Sequence, residues 1–273
     1  MVHQGHGKVR PAAVAGRFYP GDAASLAAEV DEMLAAASDP KDAGSGRRPK
    51  ALIVPHAGYV YSGPIAASAY RLLAGFPKPT RVVLIGPAHT VALRGLALPD
   101  ATAVETPLGV VPLDVEGMRR AAALPQVVVS AEAHAREHSL EVQLPFLQRA
   151  LGAFTLVPLV VGHASPTAVA EVLDALWGDD DTLIVISTDL SHYLPYAEAR
   201  ALDEATARQI LAGDGGFTGE QACGAHGVRG FLISARGHGL APRLLDLRSS
   251  GDTAGDRRRV VGYASFAYTP EVM

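Results

Sequence analysis

The sequence predicts an α/β fold, a three-layer αβα sandwich built around a mostly parallel central sheet. Four short apolar runs rich in β-branched residues each end in a turn, and amphipathic helical segments lie between them. Continuous apolar runs are typical of strands covered on both faces, and their alternation with helices predicts the layered arrangement. Since 48% of the residues are hydrophobic and no internal repeat is present, we expect one domain spanning residues 1–273.

Each element follows from a local signal. The predicted strands cover 51–54, 81–85, 156–161 and 182–186. Asp22 is placed to cap a first helix with one apolar stripe. That stripe consists of Leu26, Val30, Met33 and Leu34. Ser165 and Pro166 mark the start of a helix through Trp177, because proline is favoured at the first helical position. Further helices are expected over 196–212 and 219–236, extended structure over 107–113, and a polar surface loop over 38–48.

Composition and charge exclude several classes of partner. The net charge is −4, and the arginines at 47–48 and 257–259 form runs too short for a nucleic-acid interface. The single cysteine, Cys223, excludes an intrachain disulfide and fits a reducing compartment. No apolar run is long enough for a spanning helix or for the hydrophobic part of a signal peptide. We therefore expect a cytoplasmic protein with neither a membrane nor a nucleic-acid partner.

Histidines follow the predicted strands at the point where each strand ends. His56, His89, His163 and His192 each lie at or just beyond such an end. In open α/β sheets this edge is where ligands bind. One such histidine is typically a loop residue bonded to nearby backbone, but four of them converging on one edge indicate a functional site.

Other side chains extend this candidate site. Asp189 and His192 stand three residues apart, so in a helical turn the carboxylate would orient the ring as part of an acid/base pair. Cys223 is expected near a helix start, where a thiol pKa falls, although a small buried side chain is the commoner role of a free cysteine. His226, one helical turn on, is a candidate partner for that thiol.

The segment around His138 and Glu141 leaves two interpretations open. The two side chains are expected on one helical face. Glu137 and His138 could reach the sheet edge and support the site. Alternatively, they could belong to a solvated first turn, where acidic residues are favoured by the helix dipole.

Six segments together resemble the Memo family, whose bacterial and archaeal members are also described as protein B of the Amme–Memo–radical-SAM system. They are AGRFYP at 15–20, PHAGY at 55–59, GPAH at 86–89, EHSLE at 137–141, STDLSH at 187–192 and ACGAH at 222–226. They occur in the family's order over nearly the whole chain. Radical-SAM and Amme-type proteins are therefore implied as partners by this resemblance alone.

The resemblance also implies a fold similar to the LigB-type class III extradiol dioxygenases, which are non-haem iron enzymes. In those enzymes two histidines and a glutamate bind Fe(II), and a further histidine acts as acid and base. The match would place His56, His89 and Cys223 around the metal, with His192 and Asp189 as the acid/base pair. Cysteine in place of glutamate makes the site softer, so copper or zinc are alternatives to iron. The resemblance offers no counterpart for His163, which is therefore not placed at the metal despite its position after a strand.

Three functions follow as hypotheses. The first is a metal-dependent oxidoreductase with dioxygenase-like chemistry on an unknown substrate. The second is a non-catalytic protein that binds a peptide or small molecule in a vestigial dioxygenase pocket, which Phe18, Tyr59 and Tyr61 would line. The third is a hydrolase with Cys223 as nucleophile and His226 or His192 as base. The supporting residues around the metal would be His138, Glu141 and His226.

Overall fold

A computed structural model of the chain describes residues 7–37 and 47–271. The strands are β1 (Val9–Arg10), β2 (Ala51–Val54), β3 (Arg81–Pro87), β4 (Leu96–Leu98), β5 (Ala103–Thr106), β6 (Gly109–Pro112), β7 (Val127–Val129), β8 (Thr155–Val161), β9 (Thr182–Ser187), β10 (His192–Leu194), β11 (Leu240–Ser249) and β12 (Val260–Pro270). The helices are α1 (Ala23–Ala36), α2 (Tyr59–Tyr70), α3 (Val115–Ala122), α4 (Ala131–Ala135), α5 (Leu144–Leu151), α6 (Pro166–Leu176), α7 (Tyr196–Leu211) and α8 (Ala225–Gly237). The four predicted strands are therefore present. The extended segment expected at 107–113 is extended from Gly109, and residues 107–108 form the turn before it. Most of the predicted loop at 38–48 lies outside the described residues.

The central sheet is parallel in its middle and antiparallel at its flanks. Within the described residues, its strands follow the order β10-β12-β2-β9-β3-β8-β4-β7, and β11 pairs with β12. The four strands β2, β9, β3 and β8 run parallel, as predicted. β12 and β4 pair antiparallel with β2 and β8. β11 and β12 also pair antiparallel, because they are joined without an α-helical crossover. The strands β1, β5 and β6 form a separate small sheet that the sequence did not predict.

Alternate side chains of the central strands enter two different apolar cores. In β2, Leu52 and Val54 belong to the core that contains residues of α1, α2 and α5. Ala51 and Ile53 belong to the core on the opposite face, which contains residues of α6, α7 and α8. Because successive strand residues point to opposite faces, a strand covered on both sides needs an uninterrupted apolar sequence. This confirms the predicted three-layer arrangement.

Local sequence signals predict the starts of α1 and α6 correctly but not the start of α8. The Asp22 carboxylate accepts a hydrogen bond from the Ser25 backbone N–H, and Ser165 caps α6 in the same way. The helix expected over 219–236 begins later, at Ala225, and Gly224 occupies its capping position. An added Cβ on Gly224 would lie 2.7 Å from both the Ser187 carbonyl oxygen and the Thr188 Cβ. Only glycine therefore lets this turn approach the end of β9 so closely.

The parallel strands deliver their carboxyl ends to one edge of the sheet. The turns after β2, β3, β8 and β9 therefore lie along the same edge, and these turns contain most of the candidate site residues. Among the helices of the described residues, none combines the length and apolar character needed to cross a bilayer.

Candidate metal site

Three side chains that can donate to a metal ion meet at this sheet edge. His56 follows β2, His89 follows β3, and Cys223 lies in the turn before α8. One ligand atom from each lies within 4.8 Å of the other two. His56 Nε2 is 3.3 Å from the Cys223 sulfur. The structure therefore brings together the three residues that the resemblance assigns to a metal.

The hydrogen bonds around His56 define which ring nitrogen carries the proton. The Ser187 hydroxyl lies 2.7 Å from the Ser139 carbonyl oxygen, which can only accept, so the single hydroxyl proton points there. His56 Nδ1 lies 2.8 Å from the same hydroxyl oxygen and must therefore donate its own proton to it. The Gln143 amide donates to this oxygen as well, at 2.9 Å. The lone pair of neutral His56 is consequently on Nε2, the nitrogen beside the cysteine sulfur.

A buried carboxylate orients the His89 ring, and it also accepts the proton of Nδ1. Glu137 accepts hydrogen bonds from the His89 backbone N–H at 2.6 Å and from His89 Nδ1 at 2.9 Å. Burial alone would raise the pKa of Glu137, but its bonds to His89 and to the Ser139 backbone lower that pKa to about 2. An ionised carboxylate can only accept, so His89 Nδ1 carries the proton and Nε2 is left as a ligand atom. A carboxylate behind a histidine is typical of metal sites.

Cys223 lies two residues before the first residue of α8, near a helix start as expected, and its thiol is buried. Its sulfur accepts a hydrogen bond from the Asp189 backbone N–H at 3.3 Å. Burial, together with the nearby Asp189 carboxylate, raises the pKa of the thiol to about 12. The lowered pKa expected from the nearby helix start is therefore wrong, because burial of the thiol outweighs the effect of the helix. A protonated thiol at neutral pH is a poor nucleophile, whereas a bound metal ion would displace its proton.

Asp189 and His192 do not form the pair that their spacing predicted. Residues 188–191 are not helical, and His192 is the first residue of β10. The Asp189 carboxylate instead accepts the His56 backbone N–H at 2.7 Å. Burial raises the pKa of Asp189 to about 7, against the lowering effect of its bond to His56. Burial also lowers the pKa of His192. Asp189 thus positions the His56 backbone, and His192 reaches the site independently.

His138 and Glu141 point in different directions, because the helical turn begins only at Glu141. The His138 ring stacks on His89 with centroids 4.6 Å apart and stands edge-on to His56 at 5.5 Å. His138, His89 and Glu137 form a second group whose ligand atoms lie within 4.8 Å of one another. Glu141 is only 1% exposed and accepts the backbone N–H groups of Ala13 and Val14. Both are therefore partly or fully buried, and Glu141 supports the N-terminal segment rather than the metal.

His226 and His163 lie together, away from the cysteine. His226 Nδ1 is 2.8 Å from the Ala164 carbonyl oxygen, and its ring is 5.2 Å from that of His163. The expected contact between His226 and the Cys223 thiol is absent from the described hydrogen bonds. The helix start at Ala225 turns this side chain toward the end of β8 instead.

Two of the three candidate ligands, His56 and His89, line an open cavity of about 850 Å³, whereas Cys223 is not part of its lining. Its lining includes Phe18, His56, Tyr61, His89, His138, Asp189, His192, Tyr193, Arg258, Arg259 and Tyr263. Phe18 and Tyr61 thus lie where the sequence placed them, but Tyr59 does not. Tyr59 is 3% exposed and donates its hydroxyl to the Val142 carbonyl oxygen, because the first turn of α2 directs its ring into the core.

Sequence analysis missed several residues of this site. Ser187, which orients His56, carries no local signal. Glu137 was expected only as a residue that could reach the sheet edge, and its bond to His89 could not be inferred from their separation in sequence. Tyr193 immediately follows His192, so its place at the cavity could have been inferred. Arg258 and Arg259 were noticed only as a short basic run, since nothing local shows that the turn before β12 borders the cavity.

Comparisons with known proteins agree on the family. The model of the family described as Memo-like protein matches residues 10–267. A MEMO1 family protein of Aquifex aeolicus is 37% identical over 96% of this chain and 99% of its own length. Another, from Metallosphaera sedula, is 33% identical with the same coverage of 96% and 99%.

A solved structure of an uncharacterized protein, JW3007 of Escherichia coli K12, matches the fold. Its TM-score is 0.56 at 17% identity, and the match covers 81% of this chain and 99% of that one. This likeness concerns the fold alone. The family model spans nearly the whole chain, and both relatives exceed 30% identity over almost their full length. The chain therefore belongs to the Memo family.

Proposed function

We propose that this chain is a metal-dependent oxidoreductase that holds one Fe(II) ion on His56, His89 and Cys223. The proposal rests on one observation above all. Both histidines donate their Nδ1 protons to fixed acceptors, Ser187 and Glu137, which leaves both Nε2 atoms free as ligands, and the Nε2 of His56 lies 3.3 Å from the cysteine sulfur. Packing alone does not require two imidazoles and a thiol to be prepared in this way.

The donor set fits a first-row transition metal. Two neutral imidazoles and one thiolate suit iron, and they also suit copper or zinc. The similarity to LigB-type class III extradiol dioxygenases favours Fe(II). Three protein ligands leave coordination positions open for other molecules. When bound, the iron would supply one-electron chemistry and a position for O₂.

The remaining residues would serve the reaction through position and proton transfer. His192 lines the cavity and would move a proton to or from the substrate. Asp189 would keep His56 in place through the backbone N–H of that residue. Phe18 packs on His138 with ring centroids 4.6 Å apart and would exclude water from one side of the cavity.

Iron analysis tests this proposal. Protein purified without chelator or affinity metal, then reconstituted anaerobically with Fe(II), is expected to hold about one iron per chain. Its complex with nitric oxide should give the paramagnetic resonance signal of non-haem iron. His56→Ala should lose the ion, whereas the matched control His226→Ala, which removes a histidine outside the cluster, should retain it. Wild-type protein that takes up no metal would refute the proposal.

A binding protein without turnover is the second candidate. It is favoured by the exposure of two tyrosines at the cavity, 39% for Tyr61 and 62% for Tyr193, since exposed aromatic side chains commonly contact partners. Here the metal-free protein would bind its small molecule or peptide unchanged, and His192→Ala would alter affinity rather than turnover.

Ser187→Ala tests the assignment of the His56 proton. Removal of the hydroxyl deprives Nδ1 of its acceptor, so the ring can rotate or change tautomer. We expect affinity for Zn²⁺ or Co²⁺, measured by competition with a chromophoric chelator, to fall about 10- to 100-fold. The matched control is Ser234→Ala, because Ser234 is an equally buried serine bonded to the Ala170 carbonyl oxygen in α6. Equal affinities for the two variants would contradict the assignment.

A further inference from the structure

The arginine run before β12 places an uncompensated positive charge at the cavity. Arg257 pairs with Asp252 and lies over the ring of Tyr196, outside the cavity lining. Arg258 pairs with Asp256 at 2.8 Å. The Arg259 guanidinium lies over the Tyr193 ring, 5.2 Å from its centroid, and takes part in none of the ion pairs found within 7–37 and 47–271. Of three consecutive arginines, the last therefore lines the cavity with no ion pair of its guanidinium among the described residues, although the Asp256 carboxylate accepts its backbone N–H.

The backbone holds Tyr193 under this arginine. Tyr193 has φ of 62°, the only left-handed conformation of a non-glycine residue among the described residues. His192 pairs with Val261 and Leu194 with Val260, so Tyr193 is the extra residue of a bulge in β10. A bulge redirects a side chain, and a strained bulky residue beside a cavity commonly has a functional reason. The ring supports Arg259 by a cation–π contact and restricts the positions of its guanidinium.

The charged side chains of the cavity show the same asymmetry. The chain carries a net charge of −4, and the cavity is lined by two arginines and two aspartates. Both aspartates are engaged, Asp256 with Arg258 and Asp189 with the His56 backbone. Among the described residues, Arg259 is therefore the lining arginine without an ion pair, and an unpaired cation attracts anions.

Aromatic side chains form part of the cavity wall. Phe18, Tyr61 and Tyr263 line the cavity together with Tyr193. Flat apolar groups bind well against such rings. A cavity of about 850 Å³ is the size typical of small-molecule sites.

We propose that the cavity binds a small molecule with a flat apolar body and one anionic group, a carboxylate or a phosphate, which pairs with Arg259. The body would lie against the aromatic walls and direct the opposite end of the molecule toward the candidate ligands. This inference rests on the proposed function for the part of the molecule that would react at the metal. The preference for an anion depends only on Arg259 and Tyr193.

Three probes of similar shape test the anion preference: benzoate, phenyl phosphate and neutral benzamide. Their affinities are measured by ligand-observed NMR titration of the metal-free protein and of the Zn²⁺-loaded protein. The wild type is expected to bind one or both anions more tightly than benzamide, and added salt should weaken the anions selectively. The tighter anion identifies the class, carboxylate or phosphate.

The matched variants are Arg259→Ala and Arg257→Ala. Both remove one positive charge from the same run, but only Arg259 lines the cavity. Arg259→Ala should weaken the anions on the order of tenfold and leave benzamide unchanged, since an arginine–anion bond is charge-assisted. Arg257→Ala should change each affinity by less than about twofold, because Arg257 is exposed and outside the cavity lining, and solvent ions screen exposed charges. Tyr193→Leu should weaken the anions as well, whereas Tyr193→Phe should not.

The outcomes separate this inference from the proposed function. Equal affinities for benzamide and both anions, or equal losses in the Arg259 and Arg257 variants, would overturn the inference even if the protein binds one metal ion. Conversely, an anion preference that depends on Arg259 in protein unable to bind metal would uphold it while refuting the metal proposal. Thermal denaturation of each variant establishes that the fold is intact.

Discussion

Cys223→Ser is expected to abolish stoichiometric metal binding without unfolding the protein. The thiolate is the only anionic ligand in the cluster, and a hydroxyl is a far weaker ligand for a borderline metal. Serine is close in volume to cysteine and can keep the hydrogen bond from the Asp189 backbone N–H. We expect affinity for Co²⁺ to fall at least about 100-fold. Loss of a residue that only supports a ligand costs up to about 100-fold, and loss of the ligand itself should cost more.

Absorption spectroscopy measures this result directly. Wild-type protein loaded with Co²⁺ should show a thiolate-to-metal charge-transfer band in the near ultraviolet, and Cys223→Ser should lack it. The matched control is His138→Ala, because His138 belongs to the alternative group with His89 and Glu137 but not to the proposed one. If His138→Ala loses the ion and Cys223→Ser retains it, the alternative group is the metal site.

Glu141→Gln is expected to lower the free energy of unfolding by about 3 kcal/mol. The buried carboxylate accepts from the backbone of Ala13 and Val14, from the Tyr19 hydroxyl at 2.6 Å and from the Arg10 guanidinium. All four partners are donors, so the amide group of glutamine must direct its own N–H toward one of them. The side chain of Arg10 would then be a buried charge without its counter-charge.

Chemical denaturation gives the free-energy difference, and hydrogen exchange locates it. Amide exchange at residues 13–14 should accelerate more than exchange in the central strands, because these backbone groups lose their acceptor. Glu116→Gln provides the control, since it neutralises an exposed glutamate that pairs with Arg119 on the surface, and it should leave stability nearly unchanged. Equal destabilisation by the two variants would contradict the role assigned to Glu141.

The hydrogen bonds of Glu141 to residues 10–19 affect the site because the same segment contains Phe18. The Phe18 carbonyl oxygen accepts the backbone N–H of Tyr59 at 2.8 Å, and the Phe18 ring packs on His138. Loosening of the segment should therefore open one wall of the cavity. Glu141 thus affects the site through the position of Phe18, not through contact with a metal.

The errors of the sequence analysis share one physical cause. The direction of a side chain and its burial depend on partners far away in sequence, and helical or extended periodicity does not encode them. The sequence pairs Asp189 with its near neighbour His192. In the structure its carboxylate accepts the backbone N–H of His56, more than a hundred residues earlier. The Cys223 pKa was expected to fall with a helix dipole, but burial against β9 raises it. Tyr59 was placed in the cavity, whereas α2 directs it into the core.

The sequence by itself determined the layered fold, the carboxyl-terminal sheet edge as the location of the site, and the family. Buried parallel strands require uninterrupted apolar runs, and the ends of such strands must meet at one edge, so His56 and His89 follow from local sequence. Only the tertiary structure decided the rest: the protons on those histidines, the buried thiol, the bulge at Tyr193 and the position of Arg259 over its ring. These depend on hydrogen bonds and contacts between distant segments, whose geometry no single segment contains.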